Sequence, residues 1–175
     1  NSSWEAARQF DGTTLEDGRQ IIALQLPVIW ETADDILFDA INEYEPVLVV
    51  NVGQGGGAIQ LEQYAHNYNA RILDNLGNLP ASSSISSSGP LVYSSQLDIS
   101  TILSVLDELA LHTPIQSSQS AGSYLCNFVS YSSYDYLATY YPETPTLFVH
   151  VPPVSNIRLE SQKFSEIVAA LEVIL

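Results

Sequence analysis

A single cysteine, Cys126, is the first candidate for a nucleophile in this sequence. It lies in the stretch SQSAGSYLCN at residues 118–127, a pattern typical of a strand end, a tight turn and a helix start. The positive end of a helix dipole favours thiolate over thiol, and N–H groups of the first turn are free to stabilise an oxyanion. A lone cysteine is also often a small buried hydrophobic residue, so two interpretations remain open at this point.

A thiolate also needs a base, and the sequence offers His66, His112 and His150. We interpret His112 as a solvated residue at the end of a helix. His150 follows the apolar strand residues 147–149, at the strand end where sites on parallel sheets assemble. A histidine at a buried strand end can also be a satisfied structural group. As a nucleophilic site, a Cys–His pair further requires a third polar group that orients the imidazole.

The glycine-rich stretch GQGGGAIQLEQYAHN at residues 53–67 supplies that third group. Glu62 lies here in a partly alternating apolar segment, where a carboxylate requires a partner. Phosphate binding by the glycines is disfavoured because no Lys–Ser/Thr pair follows and the spacing is not that of a dinucleotide site. The single cysteine and the scattered histidines lack metal-ligand spacing, so we expect neither metal nor cofactor.

Composition excludes several classes of partner. The chain has 175 residues, with 5 Lys plus Arg against 20 Asp plus Glu, which gives a formal charge of −15. Such a field repels nucleic acid and anionic lipid. No apolar run reaches the roughly 20 residues that cross a bilayer, and no signal segment opens the chain. We therefore predict one cytoplasmic domain over residues 1–175, a location that the single cysteine also favours.

Strand and helix patterns alternate along the chain. Short apolar runs predict strands at residues 20–26, 47–52, 115–118 and 146–151. Helices are predicted from Thr32, over residues 100–111 and over 124–140, and residues 155–175 are amphipathic. Helical crossovers between strands predict a three-layer α/β/α fold with a mostly parallel central sheet. Residues 81–89 are serine-rich and are interpreted as a mobile surface loop.

These motifs together resemble the pyroglutamyl peptidase I family of cysteine peptidases. Residues 118–127 fit its cysteine signature, S-x-[STAD]-A-G-x-[FY]-[LIVN]-C-[DNS], at every specified position. The strand TLFVHVP at residues 146–152 is similar to the histidine strand of the family, and residues 52–67 resemble its glutamate signature. ARILDN at residues 70–75 and NSSWEA at residues 1–6 are similar to two further family segments.

The resemblance implies a peptidase that removes an N-terminal pyroglutamyl residue from peptides through an acyl-enzyme. It assigns Cys126 as nucleophile, His150 as acid–base group and Glu62 as its orienting partner. It further implies a homodimer or homotetramer, with no cofactor. The supporting positions carried over from the family are Arg71 and Gly122 for the oxyanion, and Gln54, Ile72, Tyr124 and Leu125 for the substrate.

Several departures from the family pattern leave alternatives. The segment before Glu62 is about two residues shorter, and Gln60, Gln63 and Leu73 replace the usual residues. Family members begin with a strand and a G-F-x-P-F-G-G loop upstream of the position of Asn1, so we expect either a truncated sequence or a short homologue. The alternatives to an active peptidase are an impaired homologue that acts in binding, and an acidic, tyrosine-rich interaction protein.

Overall fold

A four-stranded sheet and five α-helices account for most of the regular structure in the described part of the chain. The structure is a computed structural model that describes residues 1–155 and 161–175. The helices are α1 Ser2–Ala7, α2 Thr32–Tyr44, α3 Ile99–Asp107, α4 Leu125–Tyr140 and α5 Gln162–Ile174. The strands are β1 Val49–Gln54, β2 Ile59–Glu62, β3 Tyr64–His66, β4 Val92–Ser94, β5 Ile115–Ser118 and β6 Thr146–Val151.

The sheet has the strand order β1-β6-β2-β5. β1 runs parallel to β6 and β2 runs parallel to β5, whereas β2 and β6 are antiparallel. In the register between the strands, Gly53 of β1 and Gln60 of β2 flank His150 of β6. β3 and β4 form a separate antiparallel pair. The mostly parallel sheet and its helices agree with the predicted α/β class.

The side chains of β6 point alternately to the two faces of the sheet. Leu147, Val149 and Val151 are fully buried in one core with residues of α1, α3 and α5. The intervening Phe148 and His150 point to the opposite face, because successive side chains of a strand alternate. Burial of each large aliphatic side chain contributes about 1.5–3 kcal/mol, so this face fixes the register of the strand.

A second core lies between α2 and α4. Trp30 is 2% exposed and makes edge-to-face contacts with Tyr124 and Phe128, at ring distances of 5.2 and 5.4 Å. Leu37 and Ile41 of α2 pack into the same core. This packing holds the start of α4 against the sheet face on which His150 lies.

Most of the predicted elements are present, with small shifts at their ends. The strands at residues 115–118 and 146–151 are confirmed, and the helix predicted over 124–140 begins at Leu125. Helix α3 ends at Asp107 rather than at residue 111, and β1 covers 49–54 rather than 47–52. The amphipathic stretch at residues 155–175 contains α5, and its residues 156–160 lie outside the described residues.

The strand predicted over residues 20–26 is wrong. Of these residues, Gln20 makes the one isolated bridge described, to Thr14, and the turn between them closes with a hydrogen bond from the Leu15 N–H to the Arg19 carbonyl. A strand needs a partner to satisfy its backbone groups, and none of the described strands pairs with residues 21–26. Ile22 and Leu24 are each 45% exposed in this irregular segment.

The serine-rich loop at residues 81–89 lies largely at the surface, as predicted, and is attached to the core through Asn67. The Asn67 Oδ1 accepts hydrogen bonds from the N–H groups of Ile85 and Ser86, at 2.7 and 2.9 Å. In the described part of the chain, no helix combines the length and apolar character that crossing a membrane requires.

Candidate active site

The start of α4 presents Cys126 as the second residue of the helix. Cys126 is partly exposed, and the N-cap residue Tyr124 is extended and makes no capping hydrogen bond through its side chain. The N–H groups of the first helical turn are therefore not capped by this residue, and they add to the positive end of the dipole. Gly122, with φ +84°, makes the preceding turn in a backbone region that glycine adopts without strain.

The end of β6 presents His150 to the same region. The residue is 8% exposed and its ring is tilted against Phe148, with ring centres 4.9 Å apart. Its two strand neighbours in the register are Gly53 and Gln60. The imidazole is thus carried by a strand that is paired on both sides rather than by a loop.

Glu62 supplies the contact that orients this ring. Its Oε1 lies 2.7 Å from His150 Nδ1, and Glu62 itself is 2% exposed. Because an ionised carboxylate only accepts hydrogen bonds, Nδ1 carries a proton and Nε2 is left for another partner. Glu62 Oε2 is buried without a hydrogen-bond partner among the described residues. The buried charge of Glu62 is therefore balanced chiefly by His150.

His150 has a pKa raised to about 9. Burial opposes the charged imidazolium, but the hydrogen bonds with Cys126 and Glu62 and the charges of these two groups outweigh that effect. The Glu62 carboxylate thus holds the ring at Nδ1, and Cys126 lies near enough to raise its pKa. This arrangement favours an imidazolium at neutral pH, poised to donate a proton.

The segment that contains Arg71 and Ile72 lies beside the turn before Cys126. The Ala70 N–H donates to the Ser123 carbonyl at 2.7 Å, and the Tyr124 hydroxyl donates to the Leu73 carbonyl at 2.9 Å. Arg71 is exposed, and Ile72 is 48% exposed. The backbone bonds therefore bring both residues into the neighbourhood predicted for them.

Trp30 and Asp74 anchor this segment, and the sequence analysis did not identify them. The Asp74 carboxylate accepts hydrogen bonds from the N–H groups of Trp30, Leu76 and Asn78. The Trp30 indole N–H donates to the Ile72 carbonyl at 3.0 Å. Trp30 and Asp74 are 44 positions apart, and no local pattern in the sequence indicates that they meet.

Three other predicted residues, Gln54, Leu125 and Gly122, make contacts other than those predicted for the substrate and the oxyanion. Gln54 Oε1 accepts from the N–H and hydroxyl groups of Ser2, so its side chain is engaged with the start of α1. Leu125 is 6% exposed and lies in the core between α2 and α4. The Gly122 N–H donates to the Ser120 Oγ at 3.2 Å. Because the Gly122 N–H is already bonded, we expect the oxyanion donors to be the N–H groups between Gly122 and Cys126.

A cleft of about 210 Å³ opens beside His150. Its lining includes Glu62, Gln60 and Gly55 on the strand side, and Ser120 and Gly122 on the turn side. The cleft therefore gives access to His150 between the strand side and the turn that precedes Cys126.

A second cleft, of about 280 Å³, lies at His112, Thr113 and Glu166. Burial of Glu166 disfavours its charged form, but hydrogen bonds from Thr113, from the His112 N–H and from Gln162 lower its pKa to about 2. A carboxylate so fully bonded joins α5 to the loop before β5. The side chain of His112 is 82% exposed. Among the residues that the structure describes, no group of three or more His, Cys, Asp or Glu has the arrangement of a metal site.

Comparisons with known proteins all indicate the same family. A family model described as pyroglutamyl peptidase matches residues 1–174. The chain is 41% identical over 160 residues to pyrrolidone-carboxylate peptidase 1 of Photorhabdus laumondii, which covers 87% of this chain and 71% of that protein. It is 33% identical over 180 residues to the pyrrolidone-carboxylate peptidase of Bacillus subtilis, which covers 99% of this chain and 82% of that protein.

Solved structures extend the similarity to the fold. The crystal structure of pyroglutamyl peptidase I from Bacillus amyloliquefaciens matches with a TM-score of 0.88 at 30% identity, over 99% of this chain and 86% of that one. A mutant pyrrolidone carboxyl peptidase from P. furiosus matches with a TM-score of 0.89 at 30% identity, over 99% of this chain and 88% of that one. This agreement confirms the α/β fold class predicted from the sequence.

Proposed function

Because this chain belongs to the pyroglutamyl peptidase family, we propose that it is a cysteine peptidase that removes the N-terminal pyroglutamyl residue from peptides. The observation that carries the proposal is the 2.7 Å contact of Glu62 Oε1 with His150 Nδ1, together with the effect of the neighbouring Cys126 on the pKa of His150. A carboxylate, an imidazole and a thiol in this order form a nucleophile, its acid–base partner and the group that orients that partner.

The first half of the reaction acylates Cys126. The Sγ thiolate attacks the carbonyl carbon of the scissile amide, a sulfur–carbon bond forms, and the carbonyl oxygen becomes an oxyanion. The imidazolium of His150 donates its Nε2 proton to the leaving nitrogen. The carbon–nitrogen bond then breaks, which releases the shortened peptide with a free amine and leaves a thioester and a neutral imidazole.

The second half of the reaction hydrolyses the thioester. The neutral His150 accepts a proton from water as the water oxygen attacks the thioester carbon. The sulfur–carbon bond breaks, pyroglutamic acid leaves, and the thiolate and imidazolium are restored. Glu62 stabilises the imidazolium in both halves, because its Oε1 remains bonded to Nδ1.

Stabilisation of the oxyanion is assigned to N–H groups of the turn and first helical residues up to Cys126, with Gly122 shaping the turn and Arg71 contributing its charge. The absence of a side-chain cap from Tyr124, the described N-cap residue, supports this assignment. Each donor directed at an oxyanion lowers the activation free energy by about 2.7–4 kcal/mol.

The pyroglutamyl ring is an uncharged lactam, which suits an apolar slot with few hydrogen bonds. Ile72 and Tyr124 are assigned as the apolar surface for it, a choice supported by the exposure of Ile72 and by the hydrogen bond from the Tyr124 hydroxyl to the adjacent Leu73 carbonyl. Leu125 supports this surface as part of the core against which Tyr124 packs. Because the Gln54 side chain is engaged with Ser2, its backbone is the part assigned to contact the lactam.

Hydrolysis of pyroglutamyl-aminomethylcoumarin tests this function. The wild-type chain is expected to release the fluorophore, and Cys126→Ala is expected to lose that activity because no other thiol is present. Iodoacetamide is expected to block the wild-type enzyme at one equivalent per chain. Thr139→Ala, an exposed change on the same helix, serves as the control that keeps activity. Full turnover by Cys126→Ala would rule out the proposal.

A further inference from the structure

Two glycines at and just beyond the carboxyl end of β1 lie directly against the reacting groups. A methyl group placed on Gly53 would lie 2.7 Å from Phe148 Cζ and 3.1 Å from Cys126 Sγ. A methyl group placed on Gly55 would lie 2.8 Å from His150 Cδ2 and 3.2 Å from His150 Nε2. Distances below about 3 Å force a displacement of one partner, since packed carbon atoms are best separated by roughly 3.5–4.0 Å.

Backbone conformation does not account for these glycines. Gly12, Gly18, Gly56, Gly77 and Gly122 have positive φ angles, whereas Gly53 and Gly55 do not. A residue with a side chain can adopt the backbone of Gly53 and Gly55 without intrinsic strain. What these two positions require is the close approach of backbone to side chain.

We propose that Gly53 and Gly55 are positioning residues of the active site, whose missing side chains leave the space in which the Cys126 sulfur and the His150 imidazole face each other. The inference rests on the proposed peptidase function for its kinetic consequences. Its geometric content, that the two glycines set the approach of sulfur to imidazole, is independent of the substrate.

Gly55 acts on the imidazole itself. Glu62 holds Nδ1 at 2.7 Å, so the ring cannot rotate away from Gly55 without breaking that hydrogen bond. A side chain at position 55 would lie closest to the Cδ2 and Nε2 atoms of His150. Nε2 is the nitrogen that must reach both the sulfur and the substrate. A methyl group here displaces the ring or covers its reactive edge.

Gly53 acts on the sulfur and on the support of the ring. Phe148 is 3% exposed and packs against His150, so a methyl group that presses on its ring meets a side chain with little room to move. The same methyl group crowds Cys126 Sγ from the strand side. Displacements of about 1 Å in a catalytic group cost about 100-fold in rate.

Gly57 provides a matched control within the same glycine-rich stretch. A methyl group placed there meets no atom of the described residues within 4 Å, and its φ angle is not positive. Gly57→Ala therefore makes the same chemical change in the same stretch without the close approach.

The experiment compares Gly53→Ala, Gly55→Ala and Gly57→Ala in the full chain. The measurements are the thermal midpoint, kcat and KM for pyroglutamyl-aminomethylcoumarin, the rate of Cys126 alkylation by iodoacetamide at pH 7, and the NMR titration of His150. We expect Gly55→Ala and Gly53→Ala to lower kcat at least tenfold and to slow alkylation several-fold. Gly55→Ala also lowers the pKa of His150 towards 6.5, because contact with Cys126 and Glu62 weakens.

Wild-type values of kcat, alkylation rate and His150 titration in a folded Gly55→Ala or Gly53→Ala protein would overturn the inference, and so would equal losses in Gly57→Ala. The clash at position 55 is with a side chain rather than with backbone, so the fold is expected to survive, and Gly53→Ala gives an independent second variant. If the wild-type chain does not cleave the pyroglutamyl substrate, the proposed function fails. Alkylation and titration then still decide the role of the glycines.

Discussion

Replacing Glu62 by glutamine is expected to lower the pKa of His150 while keeping its ring in place. The two side chains are buried and joined by a hydrogen bond of 2.7 Å. Glutamine keeps an oxygen that accepts from Nδ1–H, but it removes the negative charge that favours the imidazolium. The substitution therefore separates the electrostatic contribution of Glu62 from its orienting contribution.

The magnitude follows from the raised pKa of His150. A pKa of about 9, against an ordinary value of 6.5, corresponds to about 3 kcal/mol in favour of the imidazolium. Burial opposes this, so Cys126 and Glu62 together supply more than that amount. An opposite charge within about 4–6 Å typically shifts a pKa by about 1–3 units. Loss of the Glu62 charge is therefore expected to lower the pKa of His150 by about one unit or more.

The assay is the pH dependence of kcat/KM for pyroglutamyl-aminomethylcoumarin, together with NMR titration of His150. The imidazolium donates the proton to the leaving nitrogen, so activity falls as pH rises through the pKa of His150. The descending limb is expected near pH 9 for the wild-type enzyme and about one pH unit lower, or more, for Glu62→Gln.

The matched control for this substitution is Glu166→Gln, a second buried carboxylate that contacts a histidine outside the candidate site. It is expected to leave the descending limb unchanged. If the limb of the folded Glu62→Gln enzyme also stays near pH 9, the carboxylate charge does not support the imidazolium, and the reasoning fails.

Two further substitutions test the surroundings of the site and the fold. Burial of Asp34, together with the charges of Asp35 and Glu31, raises its pKa to about 6, so its ionised form costs stability above that pH. Asp34→Asn is expected to stabilise the protein by about 1–2 kcal/mol at pH 7.5, after allowance for partial exposure, and by less as pH falls from about 6 towards 4. Denaturant unfolding measures this gain in the free energy of unfolding. An equal gain from the exposed Asp35→Asn would contradict the prediction. Tyr124→Phe removes the 2.9 Å bond to the Leu73 carbonyl and is expected to raise KM about 3–10-fold with a smaller change in kcat. An unchanged KM would show that this bond does not hold the substrate slot.

The sequence predicted the elements whose signals are local. Residues 146–151 are apolar apart from Thr146 and His150, and β6 is buried along its whole length. The turn and helix start around Cys126 follow from a glycine at position 122 and the apolar pattern after it, and α4 begins at Leu125. These features depend on near neighbours in the chain, so a single sequence reveals them.

The wrong or missing predictions concern strands, whose formation depends on a partner strand. Residues 20–26 have the composition of a strand but lack a described strand to pair with, whereas residues 59–62 pair on both sides and form β2. The short pair β3 and β4 was also missed. Strand formation depends on residues far away in the chain, and β propensity alone does not supply that information.

The sequence by itself determined which groups are chemically able to act: one thiol at a helix start, one histidine at the end of an apolar strand and one acidic residue in an apolar segment. Only the tertiary structure decided that Glu62 Oε1 meets His150 Nδ1, that Gly53 and Gly55 leave room for the sulfur and the ring, and that Trp30 and Asp74 hold the neighbouring segment. The physical reason is that these contacts join strands and loops distant in the chain, and their geometry is set by sheet register and core packing rather than by local propensity.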